Sequence, residues 1–372
     1  MKKKTKIIAI VISFLLIGVT TINAVYSCTG IRLIAKNGQV VFGRTMEWGA
    51  FDLDSRVSLI PRGFEFKGIT PDGENGKTWK AKYGAVGLDM LGQPWLADGM
   101  NEKGLVIGMF YHPGFGQCPP YVKGEADNTI TAKQVTNYII TQYSTLDEVR
   151  EGMKIVRVVP VLEQAIGVII EAHWMVTNAK GKSIVIEYEN GELKIYDNPL
   201  GVITNAPYFP WHETNIRNYV GMSPLNHPDV MLDSVDFSPL GIGNGMMGLP
   251  GDNTPPSRFV RAVAWTQTAR PLPNSEEAIY ELFRILDNFN LPLLPKPADS
   301  KPAKPDGMRS STIWTSGYDV SNLGFYYHTQ NNRRLRYLDV KAIDFGNIGN
   351  EVITLKQDAE KKQDLQDITP KL

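Results

Sequence analysis

CTGIRLIAKNGQVVFGRTMEW, residues 28–48, is the stretch on which the reading of this chain turns. Apolar residues alternate at Ile31 and Leu33 and again at Val40 and Phe42, with Asn37-Gly38 between them. Alternation of period two on both sides of an Asn-Gly pair predicts two antiparallel strands joined by a tight turn. Cys28, one of only two cysteines in the chain, then opens the first strand. A sheet is a rigid place to hold a reactive group.

The residues before Cys28 have the three parts of a secretory signal. Lys2, Lys3, Lys4 and Lys6 form a positive start, Ile7–Val19 is an apolar core, and small or polar residues follow. The core is shorter than the roughly 20 apolar residues a bilayer-spanning helix needs. Residues 1–27 are therefore expected to be removed, leaving a periplasmic or secreted protein with no membrane anchor. A cut after Ala24 leaves Val25, Tyr26 and Ser27 ahead of the cysteine, whereas a cut after Ser27 frees Cys28 as residue one. A third reading makes Cys28 a lipidated residue, although Tyr26 is bulky for such a site.

Charge is balanced at 39 basic and 39 acidic residues, which gives no pull towards nucleic acid or an anionic membrane surface. Hydrophobic residues at 42% can fill a full core. Two cysteines are too few for a disulfide-stapled scaffold, so packing must hold the fold.

Outward from the opening hairpin, NEKGLVIGMFYH (101–112) reads as a turn feeding a buried strand. TAKQVTNYIITQY, from Thr131, has helical spacing, and Thr145 with Glu148 forms a capping-box pair ahead of a second helix. HWMVTNAKGKSIVIEYENGELKIY alternates and turns at Gly181 and at Asn190-Gly191, leading into GVITNAP (201–207). NSEEAIYELFRILDNFN is an amphipathic helix capped by Asn274 or Ser275. Residues 291–307 are rich in Pro and Lys and read as an extended loop. Strands follow in STIWTSGYD and LGFYYHTQNNRRLRYLDV, and the charged residues 357–372 read as a loose tail. This order of strands and helices predicts an α+β plan of antiparallel sheets with helices layered on them, in a single domain over 28–356. No glycine-rich phosphate loop follows any strand.

An N-terminal cysteine carries its own base. Its α-amino group ordinarily titrates at about 7.7–8.0 and can accept the thiol proton at neutral pH. Nucleophile and base then sit in one residue, and no histidine partner is required. The chain has five histidines, none at a metal or triad spacing; His112, His173, His212, His227 and His328 are read as structural. Arg44 and Glu47, on the strand expected to pair with the one Cys28 begins, could lower the thiol pKa and hold the amine. Taken singly, each also reads as a solvated charge at a strand end, and Asn205 and Arg258 are unremarkable alone.

Together, CTGIRLIAKNGQVVFGRTMEW, LADGMNEKGLVIGMFY, HWMVTNAKGKSIVIE, GVITNAPYFPWHETNI and GIGNGMMGLPGDNTPPSRFVRA resemble the choloylglycine hydrolase family, in order from Cys28 to about Asp344. That family contains penicillin V acylases and conjugated bile salt hydrolases. The resemblance implies the four-layer αββα sandwich of N-terminal nucleophile hydrolases, cleavage of a non-peptide C–N amide bond, no metal or cofactor, and commonly a homotetramer. It implies that Cys28 is the nucleophile, Arg44 the arginine beside its sulfur, Asn205 an oxyanion donor and Arg258 a further member of the cluster. The family usually has aspartate where this chain has Glu47, one methylene longer.

For the substrate, the residue after GMF is informative. Bile salt hydrolases of the family tend to carry asparagine there and penicillin V acylases tyrosine; this chain has Tyr111. An aromatic wall with one hydroxyl suits a flat phenoxyacetyl group, so the expected small-molecule substrate is a penicillin V-type amide. A conjugated bile salt or an N-acyl homoserine lactone is the alternative, and a ligand-binding lipoprotein the alternative of another class. Met46, Trp48 and Phe51 are candidates to line the acyl pocket, or ordinary core residues.

Overall fold

The computed structural model describes residues 27–48, 53–292, 311–355 and 362–370. The opening hairpin forms as its sequence predicts. Strand β1 (Thr29–Ile34) pairs antiparallel with β2 (Val40–Trp48), with Thr29 opposite Thr45 and Ile34 opposite Val40. Gly38 takes the left-handed conformation the tight turn requires.

These two strands lie inside a six-stranded sheet. Its order is Val202–Ile203, β1, β2, Ser311–Asp319, Gly324–Thr329 and Arg336–Asp339. A second, eight-stranded sheet faces it and is built from strands 192–197, 183–189, 172–178, 105–111, 93–101, 85–90, β3 (Val57–Ile60) and 353–355, in that order. Neighbouring strands run antiparallel throughout both sheets.

Helices cover the outer faces. Helix α1 (Val135–Gln142) packs on the eight-stranded sheet beside α2 (Leu146–Ile155). Helix α3 (Phe209–Ile216) follows the Val202–Ile203 strand, and α4 (Pro255–Thr268) and α5 (Ser275–Leu286) cover the six-stranded sheet. The architecture is the four-layer αββα sandwich.

The strands of the central layers are buried on both faces, which is why β2 loses alternation and reads VVFGRTMEW. Gly43 explains the close seating of α5 on β2. A Cβ there would come within 2.5 Å of both a Leu282 methyl and the Ser316 carbonyl. Between the sheets, a Cβ on Gly30 would strike the ring of Phe110 at 2.5 Å. Asp98 of one sheet accepts hydrogen bonds from Ser316 and Tyr318 of the other.

Local differences from the sequence reading have simple causes. Ala132–Gln134 forms a separate 3-10 turn, with the Gln134 side chain accepting from the Thr131 amide at 3.1 Å, so α1 begins at Val135. Thr145 and Glu148 make the expected capping box at α2, and Asn274 caps α5. The segment LGFYYHTQNNRRLRYLDV splits into two strands around Asn331 and Asn332. Residues 362–370 have no regular structure but are tied down: Asp364 pairs with Arg334 at 2.6 Å, and Gln363 accepts from the Arg333 amide. Phe51, the signal-like residues 1–26 and most of the Pro-rich loop lie outside the described residues.

Candidate active site

Strand geometry distributes the candidate residues. Paired residues share a face and neighbours alternate, so with Gly30 opposite Arg44 and Thr29 opposite Thr45, Cys28 falls on the face of Arg44 and Met46. That face looks into the space between the sheets. Thr29, Thr45 and Glu47 take the other face, towards the helices. Cys28 stands at the end of β1, where both faces are reachable.

On the inter-sheet side, Arg44 is fully buried. Its guanidinium donates to the Met109 carbonyl at 2.6 Å, lies over the Phe110 ring at 4.7 Å, and approaches the Met46 sulfur at 3.4 Å. The Met46 sulfur in turn lies 4.0 Å from the Cys28 sulfur. Arg44 thus reaches the thiol through its field, with Met46 in contact with both.

On the helix side, Arg258 is the hub. It projects from the first turns of α4 and donates to the Cys28 carbonyl, to Thr29 Oγ1 at 3.0 Å, to Asn205 Oδ1 at 2.6 Å and to the Asn253 carbonyl at 2.9 Å. Asn205 follows the short Val202–Ile203 strand, which pairs with β1, and its Nδ2 donates to the Tyr111 carbonyl at 2.6 Å. With its Oδ1 committed to Arg258, the amide presents its remaining N–H as a donor.

Glu47 is fully buried. Oε1 accepts from the Thr312 hydroxyl at 2.9 Å, while Oε2 has no hydrogen-bond partner among the described residues. Burial pushes this carboxyl up to about 7, against the pull of Arg258 and of the Thr45 and Thr312 hydroxyls. Burial also raises the Cys28 thiol, outweighing the opposing field of Arg44 and then Arg258. The resting sulfur is therefore protonated and needs a base. Ser27 precedes Cys28 here, so the Cys28 nitrogen is a peptide nitrogen.

A narrow cleft opens beside the sulfur. Met46, Trp48 and Tyr111 line it, with Met90, Met109 and Ile170 from other strands and loops. Burial raises the Tyr111 phenol to about 12, so it is neutral in the working range of the enzyme.

Comparison with known proteins gives the site its context. Residues 28–355 match the linear amide C–N hydrolases, choloylglycine hydrolase family. The chain belongs to that family. A bile salt hydrolase/transferase from Clostridium perfringens is 32% identical over 336 residues, covering 88% of this chain and 96% of its own. The crystal structure of a variant conjugated bile acid hydrolase from C. perfringens superposes with a TM-score of 0.77 at 28% identity, over 92% of this chain and 99% of that one. A penicillin V acylase from Agrobacterium tumefaciens gives 0.69 at 23% identity, over 88% and 91%, which supports the fold alone. The protein is a hydrolase of linear amides.

The fold gathers Cys28, Arg44, Glu47, Asn205 and Arg258 around one point, but their supports were silent in the sequence. Thr312 and Thr45, ordinary strand threonines in sequence, hold Glu47. Apolar cleft residues such as Met90, Met109 and Ile170 carried no signal beyond hydrophobicity. Among the described residues, His112, His173 and Glu187 bring ligand-type atoms within 4.8 Å of one another. The two imidazoles stack at 3.9 Å with 10° between planes, so no point within bonding reach of both lies in both ring planes, as a shared metal would require. His173 hydrogen-bonds Glu187, and His112 stacks on His173.

Proposed function

We propose that this protein is an exported cysteine amidohydrolase of the penicillin V acylase kind, acting through a thioester on Cys28 after removal of residues 1–27. The observation that carries this reading is the convergence of Arg258, Asn205 and Glu47 on the start of β1, beside a cleft that touches the Cys28 sulfur.

A cut after Ser27 would convert the buried peptide nitrogen of Cys28 into an α-amine. The unpartnered Oε2 of Glu47 supports a place for its ammonium form nearby. The amine takes the thiol proton and sulfur attacks the amide carbonyl. Asn205 donates to the developing oxyanion, an interaction typically worth about 2.7–4 kcal/mol. The ammonium then protonates the departing nitrogen, the C–N bond breaks, and water attacks the thioester to release the acid and regenerate the thiol. Arg44 and Arg258 favour the thiolate throughout.

The acyl group is assigned from the cleft. Its walls are almost entirely apolar, with the Tyr111 ring half-buried among methionine and aliphatic side chains. A flat aryloxyacetyl group suits such walls better than a polar conjugate. The identity of 32% with a bile salt hydrolase favours a second reading, a steroid amide. Purified mature enzyme offered penicillin V, glycocholate and an N-acyl homoserine lactone separates them by kcat/KM. We expect penicillin V to be cleaved fastest; faster turnover of glycocholate would give the second reading the site. A diacylglyceryl adduct on Cys28 in the intact mass would sink both.

A homotetramer is part of the same reading. It is supported by the exposed apolar side chains on the hairpin of strands Val230–Leu232 and Val235–Phe237, including Met231 and Phe237. Light scattering at micromolar protein tests it, and a monomer mass would refute it.

A further inference from the structure

Three histidines the reaction does not use surround the backbone that carries Asn205. His173 Nε2 lies 3.1 Å from the Thr204 carbonyl, His212 Nε2 lies 3.0 Å from the Asn205 carbonyl, and His112 Nε2 lies 3.3 Å from the Pro207 carbonyl. A carbonyl can only accept, so each Nε2 must carry the proton. The other nitrogens agree with this tautomer. Nδ1 of His112 and of His212 is buried with no partner among the described residues, which a lone pair tolerates better than an N–H.

His173 is fixed from behind. Its Nδ1 lies 2.8 Å from Glu187 Oε1, and both Glu187 oxygens accept from the Phe209 amide at the start of α3. Burial raises Glu187 to about 7 and lowers His173 to about 3, which makes the pair a neutral acid donating to a neutral imidazole below about pH 7. His212, lowered to about 4 by burial, sits in the first turn of α3 and stacks on Phe259 of α4 at 4.7 Å. His212 therefore stays a neutral donor across the neutral range, while the His173–Glu187 pair keeps its arrangement only below about pH 7.

We propose that His212, with the His173–Glu187 pair and His112, is a positioning unit for the oxyanion donor: the imidazoles grip backbone carbonyls within residues 204–207 and so aim the Asn205 amide. This rests on the reading of Asn205 as that donor. None of the histidines needs to touch substrate. Their task is to stop the segment from relaxing, where a displacement of about 1 Å can cost about a hundredfold in rate.

The test is a double-mutant cycle on the mature enzyme. His212→Phe keeps the stack on Phe259 and removes the donor. We expect kcat to fall by about ten- to a hundredfold with KM within about twofold, and His212→Gln to recover most of the loss. Asn205→Ala alone should cost about 10²–10³ in kcat. Adding His212→Phe to it should cost little more, because the histidine acts through Asn205.

If Asn205→Ala keeps the parent kcat, the oxyanion reading falls and the positioning unit with it. If Asn205→Ala is impaired while His212→Phe is unaffected, or if the two losses multiply, the positioning unit alone is refuted. Nitrogen-15 spectra of the unmodified protein give an answer that no folding defect can blur. Neutral Nε2–H tautomers at His212 and His112 are expected, and an Nδ1–H tautomer or imidazolium at His212 overturns the proposal.

Discussion

One methylene separates Glu47 from the aspartate usual in its family, and the surroundings explain how the longer acid is kept. The Thr312 hydroxyl holds one oxygen and the other faces outward from that bond, unpartnered. Glu47→Asp is expected to lose the Thr312 contact and lower kcat by about tenfold, since a hydrogen bond to a charged group contributes about 1.5–3 kcal/mol. Glu47→Gln should cost more, because it removes the charge the ammonium would meet; equal activity in all three would remove Glu47 from the mechanism. Cys28→Ala should abolish turnover, by about four orders of magnitude or more, with an unchanged melting temperature. Retained hydrolysis there would end the cysteine mechanism. Tyr111→Asn should move preference away from penicillin V towards glycocholate if the aromatic wall selects the acyl group.

At the level of elements, what was legible followed from local chemistry. Asn37-Gly38 fixed the hairpin, Thr145 and Glu148 fixed the start of α2, and alternation in HWMVT predicted its strand. Period two also divides Arg44 from Glu47 across β2, because residues three apart point to opposite faces. What could not be read was which remote element meets each face. Nothing in PPSRFVRA says that the arginine of α4 reaches the Cys28 carbonyl. Nor does a lone histidine in PWHETN declare that it faces the carbonyl of Asn205 seven residues earlier. The start of α4 offers a test. Asp252 accepts from the Thr254 amide and from the Thr254 and Ser257 hydroxyls, which lower its carboxyl to about 2. Asp252→Ala should cost about 1 kcal/mol, the usual net value of a lost hydrogen bond, with a smaller loss in kcat through a looser Arg258. On the same side of that sheet, Gly43→Ala should cost about 1–3 kcal/mol by overpacking against α5, read as a lower urea midpoint.

Over the whole molecule, buried ionisable groups set a pH window for stability. With Ser27 attached to Cys28, burial raises Glu47 and Glu187 from 4.5 to about 7. Their contribution is full below 4.5 and is lost as pH rises through 7. His173 and His212 go the other way, lowered by burial from 6.5 to about 3 and about 4. Their contribution is full above 6.5 and is lost as pH falls towards those values. From these four groups the urea midpoint of a Cys28→Ala chain that keeps residues 1–27 should be level between about pH 4.5 and 6.5 and fall on both sides. A midpoint that keeps rising to pH 8.5 would contradict the buried carboxyls. The mature protein should fall less steeply on the alkaline side, since its ammonium would hold Glu47 ionised at lower pH.

The peptide bond between Ser27 and Cys28 joins residues that are only 1% and 3% exposed once the sheet has formed. Under the proposed removal of residues 1–27, a protease would need that bond extended and accessible, and maturation would be a race between two clocks. Cutting would then have to outrun closure of β1 against β2 and the arrival of Arg258 over the Cys28 carbonyl. A chain that folded first would hide its own processing site and persist as a stable, inactive molecule. The yield of active enzyme from a given expression host should then depend on folding speed as much as on the quality of its leader sequence. On that proposal, slowing folding by cooling, or opening the folded chain more often with a destabilising change such as Gly43→Ala, should raise the processed fraction.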